Sequence, residues 1–306
     1  MNMKKTIIAI VVVLIVALGG YVWWLSRSAP QTAPAENAPG SASAGASGLT
    51  VTPVTTQSGS GQVIIGKSVQ GRDITAYTFG QGTTSIMFVG GIHGGYEWNT
   101  VLLAYNLIDY LTANPRAVPA NESVTVIPVV NPDGLYKVVG SAGRFSAADV
   151  PTGAGATVPG RFNANNVDLN RNFDCDWKAT GTWQNTPVSG GKSLFSEPES
   201  KAVRDYVELH HPTAVVVYYS AAGGVFASSC HNGVLAETKA LTDLYAKAAG
   251  YPAYQSFDFY ATTGDMTNWL AVQNIPAISV LLSNHSDTEW TKNLAGVRAV
   301  LASFAK

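Results

Sequence analysis

Four segments of this 306-residue chain carry side chains whose types and spacing suit chemistry. The first is Gly90-Gly91-Ile92-His93-Gly94-Gly95-Tyr96-Glu97. A His and a Glu one helical turn apart can share a face and chelate a metal, with glycines letting the backbone bend close. A single His in a Gly-rich turn is more often structural. The second is Asn131-Pro132-Asp133-Gly134, whose plain reading is a β-turn. The third is Val167-Asp168-Leu169-Asn170-Arg171-Asn172-Phe173, preceded by Arg161. An Arg beside an Asn in an apolar setting suits a carboxylate, because the guanidinium fork matches two oxygens; the alternative is a surface Arg. The fourth, Tyr260-Ala261-Thr262-Thr263-Gly264 with Trp269 beyond it, has the composition of a mobile loop bearing one phenol.

These segments need a frame. Apolar runs bounded by turn residues predict buried strands at Ser85–Val89, Val124–Val130, Ala214–Tyr219 and Ala277–Leu282. Helical patterns at Glu97–Leu111, Glu199–Leu209, Gly233–Ala249 and Asn293–Phe304 lie between and after them. Alternation of this kind predicts a largely parallel sheet with helices on both faces. Ligands in such sheets bind beyond the carboxyl ends of strands, where the chemically loaded segments fall.

Charged residues are 13% of the chain, about half the average of roughly 25%. The net charge of −1 offers no basic surface for nucleic acid. Thr6–Ser26 is free of charge and long enough, at about 1.5 Å per residue, to cross the roughly 30 Å hydrocarbon core. Lys4 and Lys5 precede it, and Tyr21, Trp23 and Trp24 sit at its far end. Residues 1–27 thus read as a cytoplasmic tip and transmembrane signal-anchor, with a cleaved signal peptide as the rival. Residues 28–61, rich in Ala, Ser, Pro and Gly, read as a flexible linker. One folded domain is expected over 62–306, outside the membrane in the periplasm or at the cell exterior. Cys175 and Cys230 are the only cysteines, and an oxidising compartment permits them to pair. Two buried thiols are the alternative.

Together and in this order, with Ser196-Glu197-Pro198-Glu199, the segments resemble the M14 family of zinc carboxypeptidases over nearly all of residues 62–306. The resemblance implies a single α/β domain with a mixed, largely parallel eight-stranded sheet flanked by helices. It implies one zinc ion held by His93 and Glu97. It also implies Asn170 and Arg171 gripping a C-terminal carboxylate, Arg161 polarising the scissile carbonyl, and Tyr260 closing over the substrate. Thr267 falls at the position that sets side-chain preference, with Asp265 close by for a basic or diamino side chain.

The chain departs from the family in three places. Three residues rather than two separate His93 from Glu97, although a four-residue offset still faces one way on a helix. Tyr219 stands where the third zinc ligand, a His, belongs, and a neutral phenol is a poor ligand. Leu281 stands at the proton-shuttling Glu, and general-base work is worth typically 10²–10⁴-fold. His285, Asp287, Glu289 and His231 lie near enough in sequence to be considered as substitutes, while His210 and His211 read as structural. Two functions follow. One is a membrane-anchored, extracytoplasmic metallocarboxypeptidase acting on peptide C-termini, cell-wall stem peptides included. The other is a catalytically inactive relative that binds peptide C-terminal carboxylates.

Overall fold

The computed structural model describes residues 60–306. The expected membrane span at 6–26 and most of the linker lie outside these residues. Among the described residues no helix is long and apolar enough to cross a membrane.

Eight strands form one mixed sheet. In chain order they are β1 (Ser60–Lys67), β2 (Asp73–Gly80), β3 (Thr84–Val89), β4 (Glu122–Ile127), then β7 (Ala214–Ser220), β8 (Gly224–Ala227), β9 (Ala253–Tyr254) and β10 (Ala277–Leu282). The strands β5 (Thr180–Trp183) and β6 (Thr186–Ser189) make a separate ribbon. Spatially the order is β1-β2-β4-β3-β7-β10-β8-β9. The four central strands run parallel, and β1, β2 and β8 add antiparallel pairings toward the two edges. Because β3, β7 and β10 are parallel, their carboxyl ends open at one edge of the sheet.

Side chains alternate between the faces of a strand, so each central strand feeds two cores. Ala214, Val216 and Tyr218 enter one, with α1 (Trp98–Ala113), α4 (Ala236–Ala249) and α6 (Trp290–Phe304) packed on it. Val215, Val217 and Tyr219 enter the other, beneath α3 (Pro198–His210) and α5 (Met266–Val272). Leu281 shares the Tyr219 face, and the parallel register sets it directly beside Tyr219.

The four predicted strands and four predicted helices are present with ends shifted by a few residues. The turn reading of Asn131–Gly134 is corrected. That segment starts the helix α2 (Pro132–Val139), where Asn131 caps by accepting from Gly134 N at 2.8 Å and Pro132 occupies the first turn. Asp133 accepts from Ser68 Oγ at 2.7 Å and Gln70 N at 3.0 Å, fastening the β1–β2 hairpin. The pattern reading did not anticipate β1, β2, β8, β9 or the β5–β6 ribbon: β1 lies at an edge, β8, β9, β5 and β6 are short, and β2 mixes buried with half-buried and exposed positions.

Candidate active site

The turn after β3 carries His93, and Glu97 directly precedes α1. Gly94 adopts φ +44°, and a Cβ there would lie 2.8 Å from the Asn131 and Gly160 carbonyl oxygens. Only glycine lets the turn pass so close. His93 Nδ1 lies 2.9 Å from Glu97 Oε1, and Nε2 lies 3.2 Å from Asp168 Oδ1. All three residues are buried. Burial and Arg161 oppose protonation of His93, but Glu97 and Asp168 outweigh them and its pKa is raised.

Asp168 lies in the segment after β4 and organises the site from beneath. Its Oδ2 accepts from Arg161 Nε at 3.0 Å and Nη2 at 2.8 Å. Burial alone would raise the Asp168 carboxyl; Arg161 and His93 overcome that and pull it down. The Arg161 guanidinium sits 4.4 Å from the Trp183 ring centroid and 5.6 Å from that of Tyr96. The Ser196–Glu199 segment holds the loop carrying Arg161 and Asp168 in place. Glu197 Oε2 accepts from Asn163 and Asn165, and Glu199 Oε2 accepts from Asn163.

Arg171 is 1% exposed and lines the cavity. Its Nε and Nη2 donate to Thr182 O at 3.1 and 2.8 Å, and Nη1 donates to Asn170 O at 2.6 Å. A guanidinium has five N–H groups, so one on each terminal nitrogen stays free. Among the described residues no carboxylate pairs with it, whereas Arg161 is paired twice over. Asn170 is held by Asp265, which accepts from Asn170 Nδ2 at 2.7 Å. The remaining Asp265 oxygen caps α5 through Thr267 N and Asn268 N. Both Asp265 oxygens therefore serve the protein itself. Thr267 Oγ1 meets Ser279 Oγ at 3.1 Å, and both residues line the cavity with Leu281.

The cavity is about 660 Å³ and is walled by Tyr260, whose ring centroid lies 5.9 Å from the Arg171 guanidinium. Cys175 and Cys230 form a disulfide with Cα atoms 6.1 Å apart. Cys175 O accepts from Gly264 N at 2.9 Å, which ties the disulfide to the base of the Tyr260 loop. His285 lines the cavity. His231 instead pairs with Asp176 at the surface. Asp287 and Glu289 are taken up by the backbone of their own loop, and His210 packs on Tyr206 of α3.

The zinc carboxypeptidase family profile matches residues 60–290. This chain belongs to the M14 zinc carboxypeptidase family. Among curated relatives, the M14 domain is 31% identical to carboxypeptidase B of Helicoverpa zea over 153 residues, 47% of this chain and 34% of that protein. It is 29% identical to bacteriocin BCN5 of Clostridium perfringens over 154 residues, 48% and 15% of the two chains. The matches thus span about a third or less of those relatives. Among solved structures, the murein-tripeptide amidase of Escherichia coli O157 aligns with TM-score 0.55 at 21% identity, covering 80% of this chain and 92% of the other. Bovine thrombin-activatable fibrinolysis inhibitor aligns with TM-score 0.62 at 17% identity, covering 80% and 91%. At these identities the likeness is one of fold.

The family implies zinc, and the residues of the M14 domain fit it only in part. Glu97 Oε2 is buried without a hydrogen-bond partner, and buried His93 Nδ1 faces Glu97 Oε1 at 2.9 Å, so the two side chains converge as a pair of ligands would. A catalytic zinc needs a third protein ligand. At that position Tyr219 donates its hydroxyl to Asn170 Oδ1 at 3.1 Å. Burial, reinforced by Asp265 and Glu97, holds the phenol well above its ordinary pKa of 10.0 and therefore protonated. Among the described residues, the one cluster of three His, Cys, Asp or Glu donors within 4.8 Å of one another is Cys175, Cys230 and His231, and its thiols are joined to each other. Two ligands and a committed neutral phenol do not make a three-ligand catalytic zinc site. Leu281, which the resemblance sets at the position of the family's base, lies beside Tyr219 in the parallel register.

Asp168, Asn99, Ser220 and Trp183 were missed as site residues. Asp168 had a signal, since it stands two residues before the Asn170-Arg171 pair. Trp183 and Thr182 sit on a ribbon with weak strand patterning, and Asn99 is hidden inside a helix.

Proposed function

We propose that this protein captures the C-terminal carboxylate of peptides and does not hydrolyse them by the zinc route of its family. The observation that carries this reading is Arg171, a buried cation lining the cavity with two free N–H groups and no carboxylate partner. Leaving a charge buried and unpaired is costly, so an anionic ligand fits the site. Asn170 keeps one amide hydrogen for the same ligand, and Tyr260 stands over them. Arg161 then meets a peptide carbonyl, and Thr267 with Asp265 borders the side-chain pocket.

The location belongs to the same proposal. The chain is tethered by residues 6–26 with its folded domain outside the membrane, which a disulfide supports. Cell-wall stem peptides are then a suitable ligand pool. A murein-tripeptide amidase among the structures of like fold is in keeping with that. Calorimetry tests the reading with the full-length chain and an acetylated tripeptide, as free acid and as C-terminal amide. Binding of the acid and not of the amide is expected; equal binding of both would sink it.

One observation favours a second reading, a metal-dependent peptidase: His93 Nδ1 and the Glu97 carboxylate converge in a buried site, with Glu97 Oε2 unpartnered. Bound zinc per chain, measured by elemental mass spectrometry after purification without chelator, separates the two. Negligible zinc at neutral pH is expected. A near-stoichiometric amount would favour hydrolysis with a recruited ligand.

A further inference from the structure

A chain of hydrogen bonds behind the cleft determines the state of a histidine that no assigned role uses. Asn99, fully buried on the first turn of α1, donates from Nδ2 to Asn284 O at 2.7 Å and Asp287 O at 2.9 Å. Both amide hydrogens are thereby spent. The reverse orientation would press the amide oxygen against two carbonyl oxygens, so the side chain has one placement. Its Oδ1 faces Ser220 Oγ at 3.1 Å and needs a donor. Ser220, at the end of β7, has a single hydrogen to give and gives it there. Ser220 Oγ also lies 2.9 Å from His285 Nδ1. With the serine hydrogen spent, that contact is a hydrogen bond only if His285 carries its own proton on Nδ1 and donates it.

A neutral imidazole protonated on Nδ1 leaves Nε2 as a bare acceptor. Among the described residues nothing donates to His285 Nε2. The ring lines the cavity, 4.7 Å between centroids from Tyr96. Burial depresses the His285 pKa, with Glu97 opposing and His93 and Arg161 reinforcing, which is in keeping with a neutral ring.

Arg171, Asn170 and Arg161 supply donors suited to carboxylate and carbonyl oxygens. The carboxylates of Asp168 and Asp265 are committed and Glu97 Oε2 is buried, while Asp258, exposed on the Tyr260 loop, accepts from Ser256. An extended peptide brings N–H groups as well as oxygens. We infer that His285 Nε2 accepts a hydrogen bond from a main-chain N–H of the bound peptide, in a tautomer set by the Asn99–Ser220 relay. His285 is then a ligand-contacting residue, and Asn99 and Ser220 are positioning residues. The inference rests on the peptide-binding reading above.

The test uses the full-length chain with ¹⁵N-labelled histidine, of which there are five, and His285→Ala to identify the signal. Long-range proton–nitrogen correlation at neutral pH should find Nδ1 protonated and Nε2 bare. Ser220→Ala should turn this single tautomer into a mixture. The acetylated tripeptide acid should move the Nε2 resonance, and His285→Ala should weaken binding about tenfold, the worth of one hydrogen bond near the upper end of the usual range. Among three analogues, each with one amide replaced by an ester, one should bind wild type about tenfold more weakly and His285→Ala no more weakly than the parent peptide. An Nε2-protonated ring overturns the inference, as does unchanged binding by His285→Ala or equal binding of all three esters. Failure of wild type to bind any free-acid peptide takes down the peptide reading and this inference together.

Discussion

The hydroxyl of Tyr219 donates to Asn170 Oδ1 at 3.1 Å, and the same oxygen accepts from Met266 N at 3.0 Å. The side chain that the family resemblance sets at a metal-ligand position is thereby bonded to Asn170, the neighbour of Arg171. Turning the phenol toward His93 and Glu97 would break that bond and require deprotonating a group that burial keeps neutral. Tyr219 thus braces Asn170 instead of standing free as a donor to a metal.

Removing the fork should remove recognition. Arg171→Ala is expected to weaken binding of the free-acid tripeptide by roughly 30-fold or more, about 2 kcal/mol or above for loss of a buried charge-assisted pair. The C-terminal amide should show no comparable loss. Parallel calorimetric titrations of both ligands check this.

Restoring the ligand should restore the metal. Tyr219→His offers a third nitrogen donor beside His93 and Glu97. Zinc content by elemental mass spectrometry should rise from negligible in the wild type to near-stoichiometric. The lost bond to Asn170 should cost about 1 kcal/mol of stability. Failure of this variant to retain zinc would mean that the two remaining ligands are not poised for metal.

Glu122, at the start of β4, is fully buried with no hydrogen-bond partner on either carboxyl oxygen. Burial pushes its pKa from 4.5 up to about 7. A carboxyl raised in the folded state binds a proton there that the unfolded chain releases. It therefore costs nothing below about pH 4 and destabilises progressively as pH rises from 4.5 toward 7. Glu122→Gln should stabilise by about 2 kcal/mol near pH 8 and by little near pH 4. Denaturant melts at the two pH values measure the difference.

The disulfide closes a loop with a sequence separation of 55. In the chain-entropy account that loop is worth about 4 kcal/mol, or roughly 10 °C in Tm for a domain of this size. Scanning calorimetry with and without a dithiol reductant should show that drop. The Cys175→Ser/Cys230→Ser double variant should melt at the lower temperature and ignore the reductant.

What could be read from the residues divides along physical lines. Fully buried central strands such as Ala214–Tyr219 advertise themselves as unbroken apolar runs. A helix such as Glu199–Leu209 shows its amphipathic period. Edge strands do not, because β1 and β9 bury little and their pattern is diluted. Asn131–Gly134 reads as a turn because Asn, Pro and Gly suit a turn and a helix start alike; in the fold Asn131 caps a helix and Asp133 reaches back to the first hairpin. At the site, Tyr219 and Leu281 could be placed from the flanking valines and leucines of their strands. The roles of Asn99 and Ser220 could not, since they depend on contacts between residues 65 to 188 positions apart.

Arg171 is anchored to the Thr182 and Asn170 carbonyl oxygens before any ligand arrives. Its side chain has no rotamer search left to perform at the moment of encounter, so association need not wait on it. Peptides that share a free carboxylate and differ in their last side chain should enter at one common rate. They should be sorted by how long they stay.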